Sequence, residues 1–155
     1  MLVFFDETFR PSLKHPNLTL GALCGIGIPE RELGRVADDV FKLKLKHLGV
    51  DFARTKEIKG KELLKDWVFR LQARGTPSKN LALVQDLVEY ILRRRFPVFG
   101  CVCFERDLQA FKVEDVSALD RTFRYIFERI DLYMKFKRPE DVASIVFDDR
   151  DFGIN

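Results

Sequence analysis

The alternation of short apolar runs with stretches of helical spacing is what most constrains this chain. Met1 to Phe5 and Leu18 to Ile26 are continuous apolar runs of strand length, the first stopping at Asp6-Glu7 and the second rich in small residues (Gly21, Ala22, Gly25). The link between them carries Pro11, His15, Pro16 and Asn17, the punctuation of a loop, so a hairpin is expected. From Pro29 the spacing turns helical, with Leu33, Val36, Ala37, Val40 and Leu43 on one stripe and Gly49 as its stop. A second helix is predicted over 61–74 on Leu64, Trp67, Val68 and Leu71, ended by Gly75-Thr76-Pro77. A third is predicted over 78–95 on Leu81, Val84, Leu87, Val88, Ile91 and Leu92. Pro97 to Phe104 returns to a β run. Ser117 to Asp120 has capping-box form and opens a helix on Leu119, Phe123, Ile126, Phe127, Ile130, Tyr133 and Met134. Val142 to Phe147 is a last strand that meets Asp148-Asp149.

Strands separated by helical crossovers define an α/β protein, and such strands run parallel. The runs ending near Phe5, Phe104 and Phe147 are therefore predicted to point the same way in one parallel or mixed sheet, with the 117–134 helix packed on a face. At 155 residues the chain has the length of a single domain, 1–155. Its 46% apolar and 33% charged residues exclude a disordered tail, and no apolar run approaches the roughly 18 residues of a membrane span. The N-terminus has no basic segment and reaches acid at Asp6, which predicts a cytoplasmic protein. Three cysteines, two of them at Cys101 and Cys103, fit neither a disulfide framework nor a zinc knuckle and are expected to be reduced core residues.

Ligands of open α/β sheets collect at the carboxyl ends of the strands, and two of the expected ends carry acids: Asp6-Glu7 and Asp148-Asp149. Neighbouring strands lie about 4.8 Å apart, so Asp6 and Asp148 could converge on one hard cation, which would relieve the mutual repulsion of two close carboxylates. A third acid, Glu57, stands in Lys56-Glu57-Ile58-Lys59-Gly60. Each of these acids has a plainer reading, as a solvated loop carboxylate or a charged turn. Around Glu57 crowd Lys42, Lys44, Lys46, Arg54, Lys56, Lys59 and Lys61, and Arg93 to Arg95 precede Pro97, so a phosphate backbone has cations to meet. A formal net charge of +3 is modest, and many of these cations suit the solvated faces of helices. His15 and His47 are isolated and read as bland surface histidines. No phosphate-binding glycine loop, GxSxG elbow or CxxC pair is present, and Gly25-Ile26-Gly27 is too little for a dinucleotide fingerprint.

Phe4-Phe5-Asp6-Glu7-Thr8, the small-residue run at Leu20 to Ile26, the helix from Pro29, Glu57-Ile58-Lys59-Gly60 and Val146-Phe147-Asp148 together resemble the bacterial and phage family called domain of unknown function 3800. The resemblance spans nearly the whole chain and implies a ribonuclease H-like fold, a three-layer mixed sheet with helices packed on it, in which carboxylates bind two divalent ions. Carried over, the first-strand aspartate falls on Asp6 with Glu7 beside it, the mid-chain Glu-x-Lys on Glu57 and Lys59, and the late acid on Asp148. The chain departs from the family at Thr8-Phe9, where Ser-Gly is usual, and it lacks a C-terminal Leu-Gln-x-Ala-Asp motif. Asp151 is the candidate replacement, unless the chain is a shortened or inactive form. The resemblance thus implies a nuclease or related phosphodiester-cleaving enzyme using Mg2+ or Mn2+. Asp6, Glu57 and Asp148 would be catalytic metal ligands, Glu7, Asp149 and Asp151 additional acids, and Lys56 and Lys59 phosphate contacts on DNA or RNA. The alternative is a non-catalytic module that keeps the fold and binds nucleic acid or protein.

Overall fold

A computed structural model describes residues 1–11, 19–105 and 121–147. The chain forms two compact units: one comprises Met1–Glu30 with the chain from Pro97 onward, the other Arg31–Phe96. Among the described residues the first is a mixed four-stranded sheet with one long helix. Strands β1 (Leu2–Pro11), β2 (Thr19–Ile28), β3 (Val98–Glu105) and β4 (Ser144–Phe147) lie in the order β3-β2-β1-β4. β1 pairs antiparallel with β2, and β2 antiparallel with β3, whereas β4 lies parallel beside β1. It follows that β1, β3 and β4 point the same way, as the sequence predicts. The expected hairpin is the β1–β2 pair, and its link, with His15, lies outside the described residues.

Period-two alternation sorts the sheet into two faces. Val3, Phe5, Leu23 and Phe99 share one face and pack with Ile126, Ile130 and Met134 of the helix Arg121–Lys137, the predicted apolar stripe of that segment. Its expected cap, Ser117 to Asp120, and Leu119 lie outside the described residues. The ring of Phe5 lies across Gly25, its partner on β2: a Cβ at Gly25 would stand 2.4 Å from Phe5 Cε1, so only glycine lets the ring lie flat on the strand. Phe5 also stacks on Phe147 of β4 at 5.5 Å between centroids. The other face carries Leu2, Phe4 and Asp6 of β1 beside Cys24 and Ile26 of β2, with Val98 and Val102 of β3 exposed.

The second unit is helical. A 3-10 turn (Glu30–Glu32) leads from the sheet segment into α1 (Leu33–Leu48), and then come α2 (Val50–Thr55), α3 (Gly60–Leu63), α4 (Asp66–Ala73) and α5 (Lys79–Arg94), while the helix of the sheet unit is α6. α1 ends at Gly49, which adopts φ 84°, a backbone conformation that glycine takes without steric cost. The predicted 61–74 helix is broken at Leu64-Lys65 into α3 and α4. Its expected stripe is also split: Val68 is buried, but Leu64 and Trp67 are exposed. On α5 the covered face is that of Leu83 and Tyr90, while Val88 and Leu92 of the predicted stripe are exposed. That segment is apolar round most of its circumference, so periodicity alone does not choose the face; the packing partner does.

The partner is α1, tied to α5 by polar contacts spread along both helices. Arg94 is hydrogen-bonded to Glu32, the Tyr90 hydroxyl donates to Asp39 at 3.1 Å, and His47 Nε2 lies 2.7 Å from Asp86 Oδ2. His47 is therefore no bland surface histidine; its side chain is 11% exposed and pins the end of α1. Cys24 is likewise exposed rather than in the core, because it falls on the sheet face away from α6, and Cys101 is half-buried. Both are free thiols. No helix among the described residues is long and apolar enough to cross a membrane.

Candidate carboxylate site on the sheet

Asp6 does not end a strand. It sits in the middle of β1, opposite Cys24, and the strand continues to a last partnership of Pro11 with Thr19. The reason is that six residues of β2, Cys24 back to Thr19, supply backbone partners beyond Phe5, and a strand with one solvated face accepts a carboxylate on that face at little cost. Asp6 is exposed there, one position beyond the Phe5 ring that is buried on the other face. Glu7 is also in β1, opposite Leu23; its side chain lies outside the described residues, as do Asp148, Asp149 and Asp151 entirely.

The relation of β1 to β4 bears most directly on the acids. The two strands are parallel neighbours, in the register Leu2 with Ser144, Val3 with Ile145, Phe4 with Val146 and Phe5 with Phe147. In sequence, Asp6 directly follows Phe5 and Asp148 directly follows Phe147. The described pairing of β1 with β4 thus reaches the residue before each acid, and Asp148 lies outside the described residues. Among the described residues no group of three His, Cys, Asp or Glu is placed to hold a metal ion. Asp6 contributes a hard carboxylate donor and its partner Cys24 a soft one, so these two residues alone do not make a Mg2+ or Mn2+ site.

Glu57 belongs to the helical unit, in the extended stretch between α2 and α3. Its side chain is 72% exposed and pairs with Lys59 at 3.6 Å, the arrangement of a solvated charged turn. Lys56 is exposed, and its carbonyl accepts a hydrogen bond from Lys44 Nζ at 2.6 Å. Arg94 is not free to meet a phosphate: besides Glu32 it lies over the Phe96 ring, 5.7 Å from the centroid, and joins α5 to its surroundings. Arg93 and Arg95 are exposed.

The cations are unequally shared. The helical unit, residues 31–96, holds 16 Lys and Arg against 9 Asp and Glu, a net +7, leaving 11 against 15, a net −4, for the rest of the chain. The modest total therefore conceals a basic helical unit and an acidic sheet unit. Within the former, Glu62 is held below the ordinary carboxylate range, first by the hydrogen bond and charge of Lys65 at 2.6 Å, then by the charges of Lys61 and Lys59. One acid is thus surrounded by three lysines.

Trp67 is the residue that pattern reading misplaced. On helical spacing it belongs to a covered stripe with Leu64, Val68 and Leu71, but it is 51% exposed. The available signal was its company, Arg70 and Arg74, at spacings that put them on its own side of the helix. Comparison with protein-family models, curated proteins and solved structures finds no match to this chain.

Proposed function

We propose that the chain is a divalent-metal-dependent nuclease or related phosphodiester-cleaving enzyme of ribonuclease H-like architecture. The observation that supports this reading is the parallel pairing of β1 with β4, described as far as Phe5 with Phe147, each of which is immediately followed in sequence by an aspartate. Asp6 and Asp148 would hold the ion, with Glu7, Asp149 and Asp151 as neighbouring acids and Glu57 as the acid of the helical unit. Such an ion, when bound, would supply charge neutralisation and a water of lowered pKa for attack at phosphorus. Lys56 and Lys59 are the phosphate contacts, and the net +7 of the helical unit supports nucleic acid, DNA or RNA, as the substrate.

The experiment is cleavage of end-labelled single- and double-stranded DNA and RNA by the purified chain with Mg2+ or Mn2+. Cleavage that is lost in EDTA and in Asp6→Asn is the expected result. Activity equal to that of the Asp6→Asn control removes the enzyme reading. The charge division between the units also favours a second reading, a nucleic-acid-binding module without catalysis. Binding without cleavage would select it.

A further inference from the structure

Between Lys59 and Arg74 the chain carries five cations, Lys59, Lys61, Lys65, Arg70 and Arg74, against Glu62 and Asp66, with Trp67 and Phe69 among them. The local fold decides what these residues face. α4 starts at Asp66, and the carbonyl of Lys65 accepts the Val68 N–H at 2.9 Å, which turns Val68 into the interior, where it is fully buried, with Leu71 half-buried beside it. Arg74 caps the helix through N–H bonds to the carbonyls of Arg70 and Leu71. At 100° per residue, Trp67, Arg70 and Arg74 (i, i+3, i+7) share one stripe beside the buried one.

That stripe is solvated. Arg70 and Arg74 are exposed, and half of the Trp67 surface is open to water, as is half of Phe69 on the other side of the helix. Among the described residues neither an aromatic ring nor a cationic group is stacked on the Trp67 indole. An indole left in water forfeits the large burial that normally places tryptophan inside. A flat ring with two guanidiniums on its own stripe, preceded by three lysines around one acid, matches a strand of nucleotides with its bases unpaired. The ring offers a stacking face that every base can use, and the cations meet the backbone. In a duplex the base faces are already taken.

We propose that α4 is a docking platform for single-stranded nucleic acid, with Trp67 stacking on a base and Arg70 and Arg74 contacting the flanking phosphates. This rests on the nucleic-acid part of the function proposed above and is independent of the carboxylates and of any metal.

Trp67 is the sole tryptophan of the chain, so its fluorescence reports the platform directly. The full chain is titrated in EDTA at low salt with oligothymidylate and oligouridylate, and affinity is read in parallel from the anisotropy of labelled strands. Saturable quenching is expected, with tighter binding to single strands than to a duplex of equal length. Trp67→Ala should weaken binding about 5- to 150-fold, the range of one base stack, and Trp67→Phe should restore most of it. Arg70→Ala and Arg74→Ala should each lower the salt slope by about 0.7, one phosphate contact on a single strand. No binding at low salt, binding that leaves the fluorescence unchanged, an unaltered affinity in Trp67→Ala, or a concentration-dependent blue shift from self-association without added strand would each overturn the proposal. Because EDTA abolishes metal-dependent cleavage but not this binding, a failed nuclease assay and a failed platform are separate results.

Discussion

The two units solve the same burial problem with different materials. In the sheet unit a single apolar face, centred on Val3, Phe5, Leu23 and Phe99, is closed by the Ile126-Ile130-Met134 stripe of α6. In the helical unit Ala53, Leu63, Val68, Leu83, Tyr90 and Phe96 are buried, and polar contacts at Glu32–Arg94, Asp39–Tyr90 and His47–Asp86 run along α1 and α5. Helices of six, four and eight residues (α2, α3 and α4) are too short to hold themselves by backbone bonding alone. Substitution therefore costs most where it removes apolar volume in the sheet unit and where it unpairs half-buried polar groups in the helical one.

The largest effect is expected in the sheet core. Ile126→Ala empties a fully buried position against the strands and should cost about 2–5 kcal/mol in urea unfolding. A loss under 1 kcal/mol would mean that α6 does not close that core. Next comes Glu32→Ala, which leaves the Arg94 guanidinium mostly buried, with a buried Nε that already has no hydrogen-bond partner. About 1–2 kcal/mol should be lost, and equal stability would show the α1–α5 tie to be dispensable.

A smaller effect should depend on pH. The Asp86 carboxyl is held below its ordinary value, first by the hydrogen bond from Lys46 and then by that from His47. A carboxyl lowered in the fold stabilises it fully above its unfolded pKa of about 4, and that contribution is lost as pH falls through the lower folded value. Urea midpoints of the parent and of Asp86→Asn should therefore differ at pH 7 and draw together below about pH 4. A gap that persists at pH 2 would assign the effect to packing. The smallest change is expected for Glu57→Gln, within about 0.5 kcal/mol in the same unfolding measurement, since the exposed Glu57–Lys59 pair is screened by solvent. A larger loss would give the turn a structural role.

Much of the sheet unit was legible because its signals are local and strong. The apolar runs, the small residues of β2 and the Phe123 to Met134 stripe each allow one packing solution, and the first and last strands do lie in one sheet. The acid at Asp6 misled as a strand end because the sequence cannot display the ten-residue β2 that continues the pairing. In the helical unit the pattern was ambiguous. Leu81 to Leu92 offers two apolar faces, and Trp67 looks like core until the break at Leu64-Lys65 re-aims α4. Of the candidate acids, the structure places Asp6 on an exposed sheet face and Glu57 in a charged turn, while Asp148, Asp149 and Asp151 fall outside the described residues.

The α/β class, the order of the main elements and the common direction of β1, β3 and β4 follow from local pattern, because hydrophobic period and turn chemistry act over a few residues. The division of charge between residues 31–96 and the rest is likewise a property of the sequence. Long-range packing alone sets β4 beside β1 in the register Phe5 with Phe147, pins His47 by Asp86, and leaves Trp67 in solvent. Those outcomes depend on which distant segments meet. That is settled by the competition of all apolar surface for cover, and no local window of sequence contains it.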